Sequence, residues 1–149
     1  MQMTEQKIIL PGGAGLVGQN LVARLKERGY RNLVVLDKHR ANIEVLRRMH
    51  PEIVVEYADL AEPGDWKRHF SEAGAVVMLQ AQIGGPVYED FERNNVTSTI
   101  NILDAIRNGK VDYLVHISSS VVESVADDFY TNTKKAQERM VRDSGIACP

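Results

Sequence analysis

Cysteine is almost absent from this chain, which has a single one, Cys148, in 149 positions. One cysteine cannot build a disulfide framework within the chain, and a free thiol fits a reducing compartment. Long apolar runs are also lacking, and none approaches the ~18 residues of a membrane span. The apolar stretch before Pro11 is too short for a signal peptide. We therefore expect a cytoplasmic protein that does not associate with membranes.

An excess of charge of either sign is absent too. The sequence has 18 Lys and Arg residues against 20 Asp and Glu residues, for a net charge of −2. Its basic clusters, at 38–40 and 47–48, are short, whereas a nucleic-acid interface needs a basic stripe or a known motif. We predict no nucleic-acid partner and no metal site. A hydrophobic content of 44% suffices for the core of one domain over residues 1–149.

Short apolar runs alternate with patterns of helical period along the chain. Such runs are typical of strands that helices cover on both faces. We predict a three-layer α/β/α Rossmann fold with a parallel sheet of five strands in the order 3-2-1-4-5. The predicted strands are Lys7–Leu10, Leu33–Leu36, Ile53–Val55, Ala75–Leu79 and Val111–Ile117. The last two helical patterns span Tyr88–Ile106, with Val96, Ile100, Leu103 and Ile106 as its apolar face, and Asp127–Val141.

A glycine-rich turn follows the first predicted strand. Residues 11–18 read PGGAGLVG, in which Gly13, Gly15 and Gly18 match G-x-G-x-x-G, and Gly12 offers a related match. Such glycines allow a tight turn, a close approach of the backbone to a pyrophosphate and close packing of the next helix. That helix presents free N–H groups and a positive dipole end to phosphates. We interpret the segment as a dinucleotide-binding loop.

An acid at the end of the second strand sharpens this interpretation. Asp37 lies 19 positions after Gly18, close to the spacing of the acid that bonds the adenosine ribose hydroxyls. A carboxylate there repels a 2′-phosphate and favours NAD over NADP, although the cations at 38–40 leave NADP open. Asp59, after the third strand, either accepts from the adenine amino group or forms a loop or helix cap.

Hydroxyl groups and a lysine follow the fifth strand. Ser118, Ser119 and Ser120 end that strand at the carboxyl edge of the sheet, where open α/β folds bind ligands. Tyr130 and Lys134 are four residues apart and lie on one face of a helix. An ammonium beside a phenol favours the phenolate, which can exchange a proton during hydride transfer at a neighbouring carbon. Each pattern alone is common by chance, but their order after a dinucleotide loop points to an oxidoreductase.

From about Lys7 to its C-terminus, the chain resembles the NAD-dependent epimerase/dehydratase family, the extended short-chain dehydrogenases/reductases that modify nucleotide sugars. PGGAGLVG is similar to the family's TGGAGFIG, and NNVTSTINILDAI to its N-V-x-G-T-x-N-L-L-E-A segment. HISSSVVES resembles a strand that ends in S-S-x-x-V-Y-G, and YTNTKKAQERMV resembles a Y-x-x-S-K-x-x-x-E helix. The resemblance covers the N-terminal part of the family.

The resemblance implies roles for individual residues. Ser119 takes the catalytic Ser/Thr position, with Ser118 and Ser120 as alternatives, and Tyr130 and Lys134 take those of the acid/base tyrosine and its lysine. The resemblance also implies NAD as cofactor, a nucleotide-sugar substrate, and a homodimer that pairs through the two long helices. The cofactor-binding residues that it implies are Gly12, Gly15, Leu16, Val17, Gly18, Asp37, Lys38, Asp59, Leu60, Asn95, Tyr130 and Lys134.

The chain departs from the family in three respects. Pro11 replaces the family's threonine, and Gln80-Ala81-Gln82 replaces its H-L-A-A segment. Glu123 and Ser124 replace a tyrosine and a glycine. Eleven positions separate Ser119 from Tyr130, about half the usual number. The chain also stops where the family's sixth strand begins, and we expect a truncated protein without the C-terminal substrate domain.

Two other functions stay open on the sequence. One is a non-catalytic dinucleotide-binding module such as a redox sensor, which the short loop between Ser119 and Tyr130 favours. The other is a methyltransferase, because enzymes that bind S-adenosylmethionine also use a glycine-rich loop and an acid after the second strand. The pairing of Tyr130 with Lys134 argues against a methyltransferase.

Overall fold

Five parallel strands form the centre of the fold, which the computed structural model describes for residues 5–149. The order across the sheet is β3-β2-β1-β4-β5, which confirms the predicted topology. Strand ends differ from the predicted ones by two residues at most. The strands are β1 (Ile8–Pro11), β2 (Leu33–Asp37), β3 (Val54–Tyr57), β4 (Ala75–Met78) and β5 (Tyr113–His116).

Helices cover both faces of the sheet, as the unbroken apolar strands predict. Ile8 and Leu10 of β1 belong to the core on one face, with Val22, Ile43 and Leu46, whereas Ile9 belongs to the core on the other face, with Ile102 and Val141. None of the helices within residues 5–149 has both the length and the apolar character needed to cross a membrane. The α-helices are α1 (Leu16–Glu27), α2 (Arg40–Met49), α3 (Tyr88–Phe91), α4 (Ser98–Gly109) and α5 (Phe129–Asp143), and 3₁₀ helices span Asp65–Phe70 and Ser120–Glu123.

The predicted helix over Tyr88–Ile106 consists of three segments. A π-helical stretch, Glu92–Thr97, lies between α3 and α4. Because a π-helix has more residues per turn than an α-helix, it rotates the faces of the helices on either side of it. The predicted apolar face is wrong in part, and the error lies within α4. Residues three apart in an α-helix differ in direction by about 60°, so Ile100 and Ile106 point about 120° apart. Ile106 is buried, but Ile100 is 52% exposed, while its polar neighbour Thr99 is fully buried.

Two apolar residues at the ends of other helices are exposed. Leu16 is the first residue of α1 and Met49 is the last of α2, with exposed fractions of 80% and 59%. The end of an amphipathic helix can project past the surface that it packs on, so its periodicity does not ensure burial.

The glycine-rich turn joins β1 to α1 through close backbone contacts. Gly12 has a φ of +76°, which residues with a side chain rarely adopt. A Cβ on Gly18 would lie 2.2 Å from the carbonyl oxygen of Gly13, so α1 packs against the turn at a distance that only glycine permits. This contact brings the N-terminus of α1 to the carboxyl edge of the sheet.

We expect Gly18→Ala to destabilise the fold, because the added methyl group would overlap the Gly13 carbonyl. Overpacking of this kind costs about 1–3 kcal/mol, and the obstacle here is backbone, which favours the upper end of that range. Chemical denaturation measures the loss in the free energy of unfolding. Gly84→Ala is the control, because a Cβ at Gly84 meets no atom within 4 Å. Equal stability of the two variants would contradict the packing argument.

Candidate functional site

A cleft of about 430 Å³ opens at the carboxyl edge of the sheet. Its walls come from the glycine-rich turn and from the ends of β2, β3 and β4, which meet there because the strands are parallel. Asn95, Tyr130 and Lys134 are not among its lining residues. All the other predicted cofactor-binding residues line it, namely Gly12, Gly15, Leu16, Val17, Gly18, Asp37, Lys38, Asp59 and Leu60.

The N-terminus of α1 faces the cleft without a side-chain cap. Gly15 is the N-cap residue, and Leu16 and Val17 begin the helix with exposed fractions of 80% and 60%. The first N–H groups of a helix have no partner within it, and together with the helix dipole they attract anions. This part of the cleft is therefore suited to a phosphate group.

Asp37 is anchored to the glycine-rich turn. Its Oδ2 accepts a hydrogen bond from the Ala14 N–H at 3.1 Å, and its Oδ1 accepts one from the His39 N–H at 3.0 Å. These bonds orient the carboxylate at the end of β2, and each oxygen keeps further acceptor capacity. The carboxylate can therefore also accept hydrogen bonds from the hydroxyl groups of a ligand.

Two cations meet at Asp59. Arg93 Nη2 lies 2.8 Å from Asp59 Oδ2 and 2.7 Å from Glu62 Oε1, and Lys38 Nζ lies 3.9 Å from Asp59 Oδ2. Partial burial tends to raise the pKa of Asp59, but hydrogen bonds from Arg93 and from the Ala61 N–H outweigh it and lower the pKa. The hydrogen bond to Asp59 in turn raises the pKa of Arg93.

Sequence reasoning missed the contribution of the π-helical segment and of the loop after β4. Gln80, Gln82 and Asn94 line the cleft. Asn94 joins its two sides, because Oδ1 accepts from Lys38 Nζ at 2.6 Å and Nδ2 donates to Gln82 Oε1 at 3.0 Å. The positions of the two glutamines in the sequence could have predicted that they line the cleft, because residues that directly follow a parallel strand lie at the ligand-binding edge.

Asn95 is fully buried and holds the loop after β4 in place. Its Oδ1 accepts from the Gln82 N–H at 2.7 Å, and its Nδ2 donates to the Gln82 carbonyl and to Thr133 Oγ1, both at 3.0 Å. Both N–H groups of the amide are thus used within the protein. Asn95 acts on the cleft through the loop that it positions.

The predicted catalytic serine follows β5. Ser119 caps the 3₁₀ helix Ser120–Glu123, and its Oγ accepts from the Val121 N–H at 3.3 Å. The alternative Ser118 donates instead to Glu138 Oε2 and lines a second cavity. The structure thus places Ser118 on a different cavity from the cleft.

Lys134 lies on the same face of α5 as Tyr130, one turn further on, and its ammonium is buried. The residue is 2% exposed, and Nζ donates to Gln137 Oε1 at 2.5 Å and to the Ile117 carbonyl at 3.4 Å. Burial lowers the pKa of Lys134 to about 8, against the opposing charge of Glu138. The ammonium is therefore held by Gln137 of α5 and by the carbonyl of Ile117, which directly follows β5.

The chain matches known proteins over most of its length. The sequence profile of the NAD dependent epimerase/dehydratase family matches residues 8–142. A putative UDP-glucose 4-epimerase of Methanocaldococcus jannaschii is 31% identical over 119 residues, and the UDP-glucose 4-epimerase of Homo sapiens is 29% identical over 133 residues. These alignments cover 75% and 78% of this chain but 37% and 38% of the relatives. The chain thus spans less than half the length of these curated relatives.

Solved structures share the fold. The Bordetella bronchiseptica enzyme WbmG, in complex with NAD, superposes with a TM-score of 0.86 at 20% identity, covering 99% of this chain and 52% of that one. A UDP-galactose 4-epimerase superposes with a TM-score of 0.78 at 26% identity, covering 96% and 54%. These likenesses confirm the Rossmann architecture.

The buried ammonium predicts a pH dependence of stability. The pKa of Lys134 is about 8 in the folded protein against an ordinary value of 10.5, so the unfolded chain binds more protons between these values. The free energy of unfolding therefore rises with pH in that window. At about 1.4 kcal/mol per pKa unit, the rise from this group is about 3 kcal/mol.

Comparison with Lys134→Met isolates this effect, because that variant lacks the titrating group. Urea denaturation from about pH 7 to about pH 11 should show wild-type stability increasing relative to the variant. Lys110→Met, at an exposed lysine, should show no such change. A constant difference between wild type and Lys134→Met over the whole range would contradict the lowered pKa of Lys134.

Proposed function

The chain belongs to the NAD-dependent epimerase/dehydratase family, and on this basis we propose that it is the NAD-binding domain of an epimerase/dehydratase-type enzyme that transiently oxidises a nucleotide-linked sugar. The relatives support this class of substrate, since they are named UDP-glucose 4-epimerases. The solved structure of WbmG with NAD supports the cofactor. The family membership favours this function over a non-catalytic module and over a methyltransferase.

The observation that carries cofactor binding is the open space at Gly15. A Cβ at Gly12 or Gly18 would lie 2.4 Å or 2.2 Å from backbone atoms, so the protein itself requires these two glycines. A Cβ at Gly15 would meet its nearest neighbour at an ordinary 3.6 Å, and the φ of −71° suits any residue. Packing within the protein does not explain this glycine. A pyrophosphate that approaches the backbone closely does.

The surroundings of Asp37 support NAD over NADP. Its carboxylate accepts hydrogen bonds from a 2′-hydroxyl but repels a 2′-phosphate. The three basic residues that follow it left NADP open on the sequence, yet each has another partner. Lys38 bonds Asn94, His39 caps α2 by accepting from the Asn42 N–H at 3.2 Å, and Arg40 stacks 4.1 Å from the centre of the Tyr57 ring.

The residues after β5 would supply the acid/base chemistry. In this proposal, Tyr130 acts as the general base that takes the proton of the substrate hydroxyl, and later as the general acid that returns it. Ser119 holds the same oxygen by a hydrogen bond, and the positive charge of Lys134 favours the phenolate. NAD, when bound, is the oxidant that would accept hydride from the carbon bearing this oxygen.

Turnover is proposed for the whole protein, because residues 1–149 cover less than half of the curated relatives. A separate substrate domain and a homodimer through the two long helices stay predictions. Exposed Ile100 on α4 and Phe129 on α5, at 52% and 41%, support the dimer. Light scattering of the protein in solution tests it.

Gly15→Ala should weaken NAD binding while sparing the fold. The methyl group enters the cleft, and a penalty of about 1–3 kcal/mol for such crowding lowers affinity by about 5-fold to 150-fold. The free energy of unfolding should fall by at most about 1 kcal/mol, from the poorer N-cap. Calorimetry with NAD and chemical denaturation measure the two effects. Unchanged NAD affinity would contradict the proposed position of the pyrophosphate.

Tyr130→Phe should abolish turnover and leave the affinity for NAD unchanged, because it removes only the hydroxyl that exchanges the proton. Losing a general acid/base costs about 100-fold or more in rate. The assay uses a UDP-sugar as substrate. It is carried out with residues 1–149 if they are active, and otherwise with an active longer protein that contains them. Tyr113→Phe, at an exposed tyrosine at the start of β5, is the matched control. Equal turnover of Tyr130→Phe and wild type would refute the role of Tyr130.

A further inference from the structure

The single lysine that lines the cleft is held by its neighbours. Among the described residues that line the cleft, Lys38 is the only lysine or arginine, and the glycine-rich turn 12–18 contains no cation. Lys38 Nζ donates to Asn94 Oδ1 at 2.6 Å and lies 3.9 Å from Asp59 Oδ2. Lys38 also directly follows Asp37, the acid that faces the ribose in the proposed function. A 2′-phosphate beside Asp37 would therefore depend on Lys38 for a compensating charge.

Arg93 is not available for this role, because it has two acidic partners. Its Nη2 lies 2.8 Å from Asp59 Oδ2 and 2.7 Å from Glu62 Oε1. If Asp59 lost its charge, Arg93 would keep Glu62. Lys38 would lose the one carboxylate that lies within 4 Å of its Nζ in residues 5–149. Lys38 would keep its hydrogen bond to Asn94 Oδ1, which carries no charge. The charge of Asp59 thus decides whether the charge of Lys38 is compensated within the protein.

We propose that Asp59 determines cofactor selectivity by holding Lys38, so that this cation is withheld from a 2′-phosphate and NADP is excluded. The inference rests on the proposed function, in that it takes the cleft to bind NAD. A 2′-phosphate brings up to two negative charges next to Asp37, and such a group is bound by free cations. Asp37 repels the phosphate directly, whereas Asp59 acts through Lys38 as a positioning residue.

Calorimetric titration with NAD and with NADP tests the proposal. Asp59→Asn removes the charge but keeps an oxygen for the Ala61 N–H, which donates to Asp59 Oδ1 at 3.1 Å. This variant should lower the ratio of NAD affinity to NADP affinity by about threefold to fivefold, mainly through tighter binding of NADP. In the double variant Asp59→Asn/Lys38→Met, the ratio should return close to the wild-type value.

Two single variants complete the design. Asp104→Asn is the matched control, because Asp104 pairs with Lys67 Nζ at 3.1 Å and neither residue lines the cleft, so the ratio should stay unchanged. Lys38→Met alone should also leave the ratio unchanged, because a lysine that is already held adds nothing to NADP binding. This second variant keeps the proposal testable if Asp59→Asn does not fold.

Three results would overturn the proposal. One is an unchanged ratio in folded Asp59→Asn, and another is a large loss of NADP affinity in Lys38→Met. The third is a gain in NADP affinity that persists in the double variant, because Asp59 would then repel the phosphate directly. If wild-type protein binds no NAD, the proposed function itself fails, and this inference with it.

Discussion

The contact between Gly18 of α1 and the carbonyl of Gly13 is the constraint on which the cleft depends. Because no side chain separates the helix from the turn, the first N–H groups of α1 are fixed at the carboxyl edge of the sheet. Asp37 then bonds the Ala14 N–H of the same turn. The anion-attracting helix end and the acid are thus tied to one piece of backbone. A site built in this way is preorganised, because few side chains must be immobilised when a ligand binds.

The other half of the site depends on buried side chains. Gln137 Nε2 donates to Thr99 Oγ1 at 3.0 Å, and Thr99 Oγ1 donates to the Asn95 carbonyl at 2.7 Å. This chain of bonds connects α5 to α4 and to the π-helical segment. An unpaired buried polar group costs about 1–3 kcal/mol. Few arrangements of the helices therefore satisfy the whole network, which fixes α5, and Tyr130 with it, relative to α4 and the π-helical segment.

The sequence predicted those parts of the molecule that short stretches of chain encode. The run from β1 through the glycine-rich turn to Asp37 has its partners close by, and its two strands were predicted to within one residue. The roles of the glycines and of Asp37 toward a cofactor stay predictions. Long-range side-chain contacts were not. Arg93 meets Asp59 across 34 positions and Lys38 meets Asn94 across 56, and no pattern in the sequence pairs them. Hydrophobic periodicity also failed at Ile100, because a strict spacing of three residues over Ile100, Leu103 and Ile106 drifts around the helix axis.

The role of Lys134 could be predicted from the sequence, but its buried environment could not. Its spacing from Tyr130 indicated a shared helix face, but not that the ammonium would be 2% exposed. Burial of a charge is unfavourable, and an apolar side chain of similar size would often stabilise the fold more. Burial and the charge of Lys134 also lower the pKa of nearby His116 to about 4 and keep its imidazole neutral. A buried ammonium that lowers stability in this way is typical of a group retained for its chemistry, which supports a functional role for Lys134.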